Sequence, residues 1–351
     1  MVTFTSFRSD TTKEKKKDML YIHGLGHFHP DNIIDNTFLE NLDIGTNDEW
    51  IIERVGIKTR RTVLPLSYIA ETRNADPRAA MEASEYSNAT TGKLAAEMAL
   101  DQAGISADQI GLVMAGGCSP DTVTPAEACT IASALGIEAQ AFDLNSACSS
   151  FGAQMFFISM MNPESLPEFI LLVSPENNTR TIDYRDRNTA VLWGDGTSAA
   201  VVSTRHPASA KVEFNTLTSS PQGWDKVVIP RLGHFRQEGA TVQTFAIKRT
   251  VKCYREISNG QNGQNRPLFF IGHQANLKML ESVCERCQIA RDRHLFNVDV
   301  FGNTGAAGAP IVLSQNWSGF KHGDRVALIV VGAGLTWSSM TIEFNFKPED
   351  R

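Results

Sequence analysis

Cys148 lies in the stretch of this sequence whose residue types are best suited to chemistry, DLNSACSSF (residues 143–151), where an apolar strand is predicted to turn into a buried helix. A cysteine at a helix N-terminus faces unpaired backbone N–H groups and the positive end of the helix dipole, which favour the thiolate over the thiol. Cys148 is therefore a candidate nucleophile. The alternative is that a small cysteine simply packs beside Ser146 and Ala147.

Two residues far from Cys148 in the sequence also lie at the ends of predicted strands. His273, in FFIGHQANL, directly follows an apolar strand, and Asn303, in VFGNTGAAGAP, is also predicted to end a strand. Polar residues at such positions project into sites built on loop ends. Cysteine, histidine and asparagine on equivalent strand-to-helix junctions can form a thioester-handling site, with a nucleophile, a base or hydrogen-bond donor, and a second donor for a developing enolate.

The elements that must position these residues follow a repeated order. An apolar strand starts at Met19, a helix runs from about Thr90 to Gly104, and IGLVMAGGC is a buried strand before a second helix (124–137) and the strand that leads to Cys148. The second half repeats strand, small-residue turn and buried helix. We predict a duplicated, layered α/β fold with halves 19–205 and 206–351, preceded by a flexible leader, 1–18.

Charge and cysteine usage exclude several classes of protein. The formal net charge is -6 and the pI is about 5.8, which argues against a protein that grips nucleic acid or an anionic membrane through its overall charge. No apolar run is long enough to span a bilayer. Six dispersed cysteines without a secretory signal indicate the cytoplasm. The CxxC of Cys284 and Cys287 has no second ligand pair, so we predict no metal site and two half-buried helix residues there.

The chain resembles β-ketoacyl-acyl-carrier-protein synthase III, the initiating condensing enzyme of the thiolase superfamily, from about Met19 to Phe346. The matching motifs are DEWIIERVGIKTRR, AFDLNSACSSF, DRNTAVLWGDGTSAAVV, GHQANLKML, GNTGAAGAP and GAGLTW. HQAN together with GNT indicates the Cys-His-Asn branch of the superfamily. The resemblance implies the thiolase-like fold, layered αβαβα with two pseudo-equivalent halves, and a homodimer.

The resemblance also implies roles for individual residues. Cys148 would accept an acyl group, His273 and Asn303 would hydrogen-bond the second substrate, and backbone N–H groups of Cys148 and Ala333 would form the oxyanion hole. The other implied sites are a coenzyme A site (Trp50, Arg54, Arg187, Asn276), an acyl pocket (Thr124, Phe151) and a docking position for acyl carrier protein (Lys278). Coenzyme A or phosphopantetheine thioesters would be substrates, and no cofactor is implied.

Three departures from the family pattern affect the predicted substrate. Thr124 stands where relatives that use acetyl primers carry a bulky Phe, which predicts a pocket for a medium or long acyl chain. Residues 62–88 form an irregular segment, longer than its family counterpart, that could cover the entrance or remodel the second-substrate site. The usual Gly-Asn contact to pantetheine is missing from residues 242–246.

Three functions remain open at the level of sequence. The first is decarboxylative condensation of the Cys148-bound acyl group with a malonyl-type thioester. The second is a specialised relative that condenses two acyl thioesters, or transfers the acyl group to another nucleophile, without decarboxylation. The third is an inactive partner subunit, which the complete set of Cys148, His273 and Asn303 disfavours. Long-chain enzymes of the second kind carry a Glu base at the position of Thr124, so its absence disfavours that activity as well.

Overall fold

The computed structural model of the chain describes residues 19–231, 233–260 and 266–346, and the predicted leader, residues 1–18, lies outside them. The strands in these ranges are β1 (Leu20–Phe28), β2 (Asn32–Asp35), β3 (Thr59–Thr62), β4 (Ile110–Ala115), β5 (Gln140–Asp143), β6 (Phe169–Glu176), β7 (Gly196–Ser203), β8 (Ala210–Ser219), β9 (Val227–Val228), β10 (Arg236–Gln237), β11 (Leu268–Gly272), β12 (Arg325–Gly332) and β13 (Thr336–Phe344). The α-helices are α1 (Asn36–Asn41), α2 (Asp48–Arg54), α3 (Leu66–Thr72), α4 (Pro77–Ala83), α5 (Asn88–Ala103), α6 (Glu127–Leu135), α7 (Ser150–Met160), α8 (Arg187–Ala190), α9 (Gly239–Asn259), α10 (Leu277–Cys287), α11 (Val298–Phe301) and α12 (Gly308–Gln315).

The largest sheet has the strand order β11-β12-β13-β8-β1-β7-β6-β4-β5, and each half of the chain forms one side of it. In the first half, β4 and β6 are parallel, whereas β6 with β7 and β7 with β1 are antiparallel. The second half repeats this pairing with β11, β12, β13 and β8. The two sides meet where Leu20 of β1 pairs with Val212 of β8. The predicted boundary between residues 205 and 206 falls in the loop between β7 and β8.

Two helices lie between the halves. Helix α7 belongs to the first half but packs against β8 and β13 of the second, while α12 belongs to the second half and packs against β1 and β7 of the first. Helices α5 and α6 cover the outer face of the first half, and α9 with α10 covers that of the second. The order of layers is therefore helix, strand, helix, strand, helix, which confirms the predicted layered αβαβα fold with two equivalent halves.

Helix α7 is buried as its composition predicts, because it is the central helix that follows Cys148. Its first turns are enclosed, with Phe151 only 2% exposed, and both halves contribute to the surrounding core. Its C-terminal end is different, since Phe157 and Met160 are 42% and 57% exposed. Helix α5 also matches its prediction: the side chain of Ser87 accepts from Thr90 N, and Gly104 ends the helix in the left-handed region.

One predicted strand is wrong. The apolar segment before Asn303 was expected to be a strand, but Val298–Phe301 forms the short helix α11, with Phe301 N bonded to Asn297 O and Gly302 N to Val298 O, both at 3.0 Å. Val298 and Phe301 are three residues apart, so one helical turn brings them to the same face, and Val298 is fully buried there. Among the described residues of the second half, no strand pairs with the outer edge of β11. A single parallel bridge between Phe270 and His294 takes its place.

The segment 62–88 contains two short helices, α3 and α4. The buried side chain of Asn74 ties it to the first half, since Asn74 Nδ2 donates to the carbonyl oxygens of Arg180 (2.9 Å) and Ile182 (2.8 Å). The backbone oxygen of Asn74 lies 2.7 Å from Nε2 of His234, and His234 directly precedes Phe235 in the sequence. Across the described ranges of the chain, no helix combines the length and the hydropathy that crossing a membrane requires.

Candidate active site

Cys148 lies on a tight turn between β5 and α7. Ala147 has φ +47°, in the left-handed region, and Cys148 belongs to a single 3-10 turn that runs directly into α7. Polar side chains of the motif satisfy the turn: Ala147 N donates to Asn145 Oδ1 (2.8 Å), and Ser150 Oγ accepts from Ser146 N (2.9 Å). The NSACSS sequence thus builds the turn that presents the thiol at a helix N-terminus, where we expected it.

The surroundings of Cys148 favour its thiolate. Hydrogen bonds from the Cys118 thiol and from the His273 imidazole hold the pKa of Cys148 well below its usual range, although burial alone would raise it. The Sγ atoms of Cys118 and Cys148 are 3.5 Å apart. The structure therefore brings together Cys148 and His273, as the sequence predicts, and adds a thiol that the sequence did not indicate.

His273 is positioned by the end of β11. Gly272 is the last residue of that strand, and the following turn is closed by a bond from Ala275 N to His273 O (2.8 Å). The imidazole is 7% exposed, and its buried Nδ1 has no hydrogen-bond partner within the protein. The imidazole lines the same cavity as Cys148 and hydrogen-bonds its sulfur.

Asn303 follows α11 and is held by its backbone. Its N donates to Leu192 O (2.8 Å) and its O accepts from Gly194 N (3.1 Å), which forms a parallel bridge beside Trp193. The side-chain Oδ1 accepts from Gly305 N at 3.0 Å. That bond orients the amide so that its Nδ2 remains as the donor on a side chain that lines the same cavity as Cys148 and His273.

The main cavity, lined by Cys148, His273 and Asn303, has a volume of about 580 Å³. Its wall also contains Ala333, and the neighbouring Gly332 passes close to the nucleophile, because a Cβ on Gly332 would lie 3.1 Å from Cys148 N. The end of β12 therefore borders the backbone N–H of Cys148, next to the residue predicted to complete the oxyanion hole.

Three of the four predicted coenzyme A residues line the main cavity, and the fourth, Arg187, contacts Trp50. Trp50 and Arg54 of α2 line it, and Asn276 borders it from the start of α10. The guanidinium carbons of Arg54 and Arg187 lie 4.9 Å and 5.0 Å from the centre of the Trp50 ring system. Arg187 also donates to Gly45 O at 2.6 Å. This cluster presents an aromatic face with two cations, which suits a nucleotide base and phosphates.

Asn276 and Lys278 have local partners. Asn276 caps α10, since its Oδ1 accepts from Met279 N at 2.8 Å, which leaves the amide N–H groups free of that bond. Lys278 is exposed on the first turn of the same helix and pairs with Glu281, with 3.1 Å between Nζ and Oε2. An exposed pair of this kind is easily exchanged for another partner.

A second cavity, the inner chamber, continues past Cys148 with a volume of about 190 Å³. Its wall is mostly apolar and consists of Gly117, Cys118, Asn145, Ala147, Cys148, Trp193, Val227, Ile229, Phe235 and Ala333. Gly117 and Asn145 also line a third cavity of about 250 Å³, the distal pocket, whose wall includes Thr122 and Val123.

The two residues predicted for the acyl pocket lie elsewhere on the single chain. Phe151 packs in the core between the halves and lines none of these three cavities, because α7 turns its side chain towards β-strands of both halves. Thr124 is exposed beside the distal pocket, next to Val123. No residue of the segment 62–88 lines the main cavity.

Sequence reasoning missed Cys118 and Glu176. Cys118 follows β4 and lines the inner chamber, and the fully buried Glu176 ends β6. Glu176 accepts from Ala306 N (2.6 Å) through Oε1 and from Cys118 N (2.9 Å) through Oε2, so it joins the Asn303 loop to the Cys118 loop. Cys118 follows the buried strand IGLVMAGG but, unlike at Cys148, no helix begins beside it, so its sequence context carried no such signal.

Several cavity residues also had no sequence signal. Gln237, Gln243 and Ala246 bring the start of α9 to the main cavity, where we could not find the family's Gly-Asn contact.

Cys284 and Cys287 lie on the last turn of α10. In the part of the chain that the structure describes, no group of three or more His, Cys, Asp or Glu residues is arranged to hold a metal ion.

Comparisons with known proteins agree with this geometry. A family model described as 3-oxoacyl-[acyl-carrier-protein] synthase III matches residues 142–220, and the model for the C-terminal part of that enzyme matches 267–344. A β-ketoacyl-[acyl-carrier-protein] synthase III of Syntrophomonas wolfei is 31% identical over 350 residues, covering 92% of this chain and 97% of the relative. The enzyme of the same name from Sulfurovum is 29% identical, with 91% and 94% covered.

The solved structures give the same result. The crystal structure of 3-oxoacyl-[acyl-carrier-protein] synthase III from Aquifex aeolicus superposes with a TM-score of 0.81 at 26% identity. The match covers 93% of this chain and 100% of that one. The similarity thus extends over both halves of the layered fold, including the turn of Cys148 and the loops of His273 and Asn303.

Proposed function

This chain belongs to the 3-oxoacyl-[acyl-carrier-protein] synthase III family of condensing acyltransferases, and we propose that it joins a medium or long acyl group to a malonyl-type thioester by decarboxylative Claisen condensation. Cys148 is the proposed nucleophile, with His273 and Asn303 as its partners. The acyl donor is a thioester of coenzyme A or of acyl carrier protein. The reaction as proposed uses no bound cofactor.

The first step is loading of Cys148. Its thiolate attacks the thioester carbon, and the electron pair of the breaking C–S bond leaves with the carrier thiol. The proton that Cys148 gave up on ionising passes through His273 to that departing thiolate. The backbone N–H groups of Cys148 and Ala333 stabilise the oxyanion. This step is supported by the lowered pKa of Cys148 and by the approach of β12 to its backbone.

The second step forms the new carbon–carbon bond. Donors on His273 and Asn303 hydrogen-bond the thioester carbonyl of the malonyl unit, so that loss of carbon dioxide leaves a stabilised enolate. The enolate carbon attacks the acyl carbon on Cys148, and the Cys148 thiolate is the leaving group. Support for these roles comes from the position of His273 in the cavity wall with Cys148 and from the bond that fixes the Asn303 amide with its Nδ2 available.

One observation carries the proposal: Cys148, His273 and Asn303 line a single cavity whose wall also includes Trp50 and Arg54. A cysteine, a histidine and an asparagine that meet in this way have the donors that acyl loading and enolate formation require. The arginine and tryptophan in the same wall suit the nucleotide of coenzyme A. A structural cysteine needs neither feature.

The proposed length of the acyl chain rests on the space beyond Cys148. The apolar inner chamber and the distal pocket follow one another behind the nucleophile, with Gly117 and Asn145 shared between them. Thr124 is exposed next to Val123 of the distal pocket and has little volume with which to close that pocket. An acyl chain on Cys148 would gain free energy by burying its methylene groups against Val227 and Ile229.

We propose that Lys278 helps to dock the acidic acyl carrier protein. The residue is exposed on α10, two positions after Asn276 of the main cavity, and its present partner Glu281 is exposed as well. A carrier protein that delivers phosphopantetheine past Asn276 would bring its acidic surface near Lys278. Arg187, which neighbours Trp50, is proposed to serve the nucleotide of coenzyme A instead.

Homodimer formation is a further part of the proposal. Strand β5 is at the edge of the large sheet, where its backbone groups can pair with another strand. Apolar side chains are exposed around it, with Val123 69% and Phe142 42% accessible. A second copy would cover this surface beside Thr124. We also propose a cytoplasmic location, which is supported by six cysteines that are all free thiols.

The experiment that tests the proposed substrate is intact-mass spectrometry after incubation with acetyl, octanoyl and longer acyl thioesters of coenzyme A and of acyl carrier protein. We expect an octanoyl or longer adduct on Cys148, and no adduct on Cys148→Ala. Labelling by acetyl alone would contradict the predicted chain length. Release of the acyl group to a second thioester without carbon dioxide would favour the non-decarboxylative alternative.

A further inference from the structure

A second thiol lies beside the proposed nucleophile. Cys118 follows β4, and its Sγ is 3.5 Å from Sγ of Cys148, a sulfur–sulfur separation within hydrogen-bonding range. The Cys118 side chain is half-buried and faces the inner chamber that also holds Cys148. The acyl loading and condensation steps described above give Cys118 no role, so its position needs an explanation of its own.

The two thiols cannot both ionise. Two negative charges 3.5 Å apart in a mostly buried site would repel each other strongly, so a single proton remains on the pair. Which sulfur keeps that proton depends on the neighbouring charges and donors. The ionisable groups that face the pair are His273, from the end of β11, and Glu176, from the end of β6.

Those neighbours act on different sulfurs. His273 and the backbone N–H of Cys148 donate to the Cys148 thiolate. Glu176 lies on the side of Cys118, whose backbone N donates to Glu176 Oε2 at 2.9 Å. The hydrogen bond to Cys148, burial and Glu176 all raise the pKa of Cys118. The proton therefore stays on Cys118, and the charge lies on Cys148.

We propose that Cys118 is a second catalytic thiol, which donates its S–H hydrogen bond to Sγ of Cys148 and so keeps the nucleophile ionised until it attacks a thioester. This inference rests on the proposed function, because it assigns Cys118 to the loading step. Cys118 keeps its own proton throughout. When the new S–C bond forms, the Cys148 sulfur loses its charge and becomes a poor acceptor, so the hydrogen bond weakens and the Cys118 S–H faces the acyl chain.

Glu176 positions the donor in this arrangement. Its carboxyl group is fully buried and also accepts from Asn178 Nδ2 at 2.9 Å, so its orientation is fixed from three directions by Cys118, Ala306 and Asn178. Burial, and then the charge on Cys148, raise the pKa of Glu176 to about 8. The same carboxyl group thus holds the loop of Cys118 and responds to the charge on Cys148.

The test is the pH dependence of Cys148 alkylation by iodoacetamide, followed by peptide mapping, with Cys118→Ala, Cys118→Ser and the control Cys129→Ala. Loss of the donor should slow alkylation of Cys148 about tenfold near pH 6.5, and the rates should converge above about pH 9, where Cys148 is ionised without help. The Ser variant keeps a hydroxyl donor and should lie between wild type and Ala. Cys129 is exposed on α6, outside the site, so its variant should match the wild type.

Two results would overturn the role of Cys118: a wild-type pH profile in Cys118→Ala, or a slowing by the same factor at every pH, which indicates altered access only. The assay uses no acyl thioester, so its outcome is separate from that of the proposed function. A normal profile in Cys118→Ala with intact condensation would reject Cys118 alone. A shifted profile in a protein that no thioester acylates would reject the proposed function alone.

Discussion

The environment of Cys148 is built from residues far apart in the chain. Its own motif supplies the turn and the helix N-terminus, and those features could be predicted from the sequence, because they depend on residues 143–151. Cys118 could not be predicted in the same way. The parallel register that pairs Ala115 with Asp143 brings the loops after β4 and β5 out at the same edge of the sheet, and only that pairing places the two thiols together.

Asn303→Ala separates the two proposed steps. We expect loading of Cys148 to change by less than about twofold, while condensation slows by about 10²- to 10³-fold, because one donor to the developing enolate is lost. Single-turnover mass spectrometry measures loading, and product formation from the loaded enzyme measures condensation. Asn316→Ala, outside the cavity, is the control and should leave both rates unchanged. Normal condensation by Asn303→Ala would remove the assigned role.

At the scale of elements, Glu176 of β6 connects the loops that carry Asn303 and Cys118. Gly305 makes room for it: the residue has φ +54°, and a Cβ there would lie only 2.4 Å from Glu176 Oε1. The GNTG motif is therefore shaped by a buried carboxyl group as well as by catalysis. The sequence alone could not identify the partner of this glycine, which is 129 residues earlier.

Gly305→Ala should destabilise the protein more than Gly136→Ala. Both glycines have positive φ, which costs a non-glycine residue about 1–2 kcal/mol, but nothing lies within 4 Å of a Cβ at Gly136. The clash with Glu176 should add about 1–3 kcal/mol to the cost at Gly305. Denaturant unfolding of both variants measures the difference. Equal free energies of unfolding would show that Glu176 does not fix this loop.

The differences between the predicted and the observed structure concern individual elements. The strand expected before Asn303 is the helix α11, because a short apolar segment fits either period and the tertiary setting decides. The irregular segment 62–88 contains two short helices, and the Asn74 side chain is one of its ties to the rest of the protein. The long helix α5 was predicted well from its periodicity and end signals, and α7 was predicted well from its apolar composition after Cys148.

At the scale of the whole molecule, the duplication explains where the site lies. Helices α7 and α12 exchange sides between the halves, so the loops that precede them, with Cys148 and Asn303, meet at the centre of the protein. The repeated order of elements made this fold predictable from the sequence. How the halves dock was not predictable, because the pairing of β1 with β8 spans only three residue pairs.

Phe142→Lys should dissociate the proposed homodimer. Phe142 is on the edge strand β5 and is 42% exposed in the single chain, so a charge there would be buried without a partner in a dimer that uses this edge. Phe214→Lys is a matched control, since Phe214 is also 42% exposed but lies on β8, inside the sheet order. Sedimentation velocity should show a monomer for the first variant and a dimer for the second. A dimer for both would contradict pairing through β5.

The central claim is that Cys148 carries an acyl group which a decarboxylated malonyl unit then removes. The most direct measurement loads the enzyme with octanoyl thioester, removes excess donor, and adds malonyl thioester labelled at its free carboxyl group. We predict that each octanoyl group lost from Cys148 is accompanied by one labelled carbon dioxide and one condensed product. Loss of the octanoyl group without release of labelled carbon dioxide would contradict this claim. So would an octanoyl adduct on Cys148→Ala at the wild-type level.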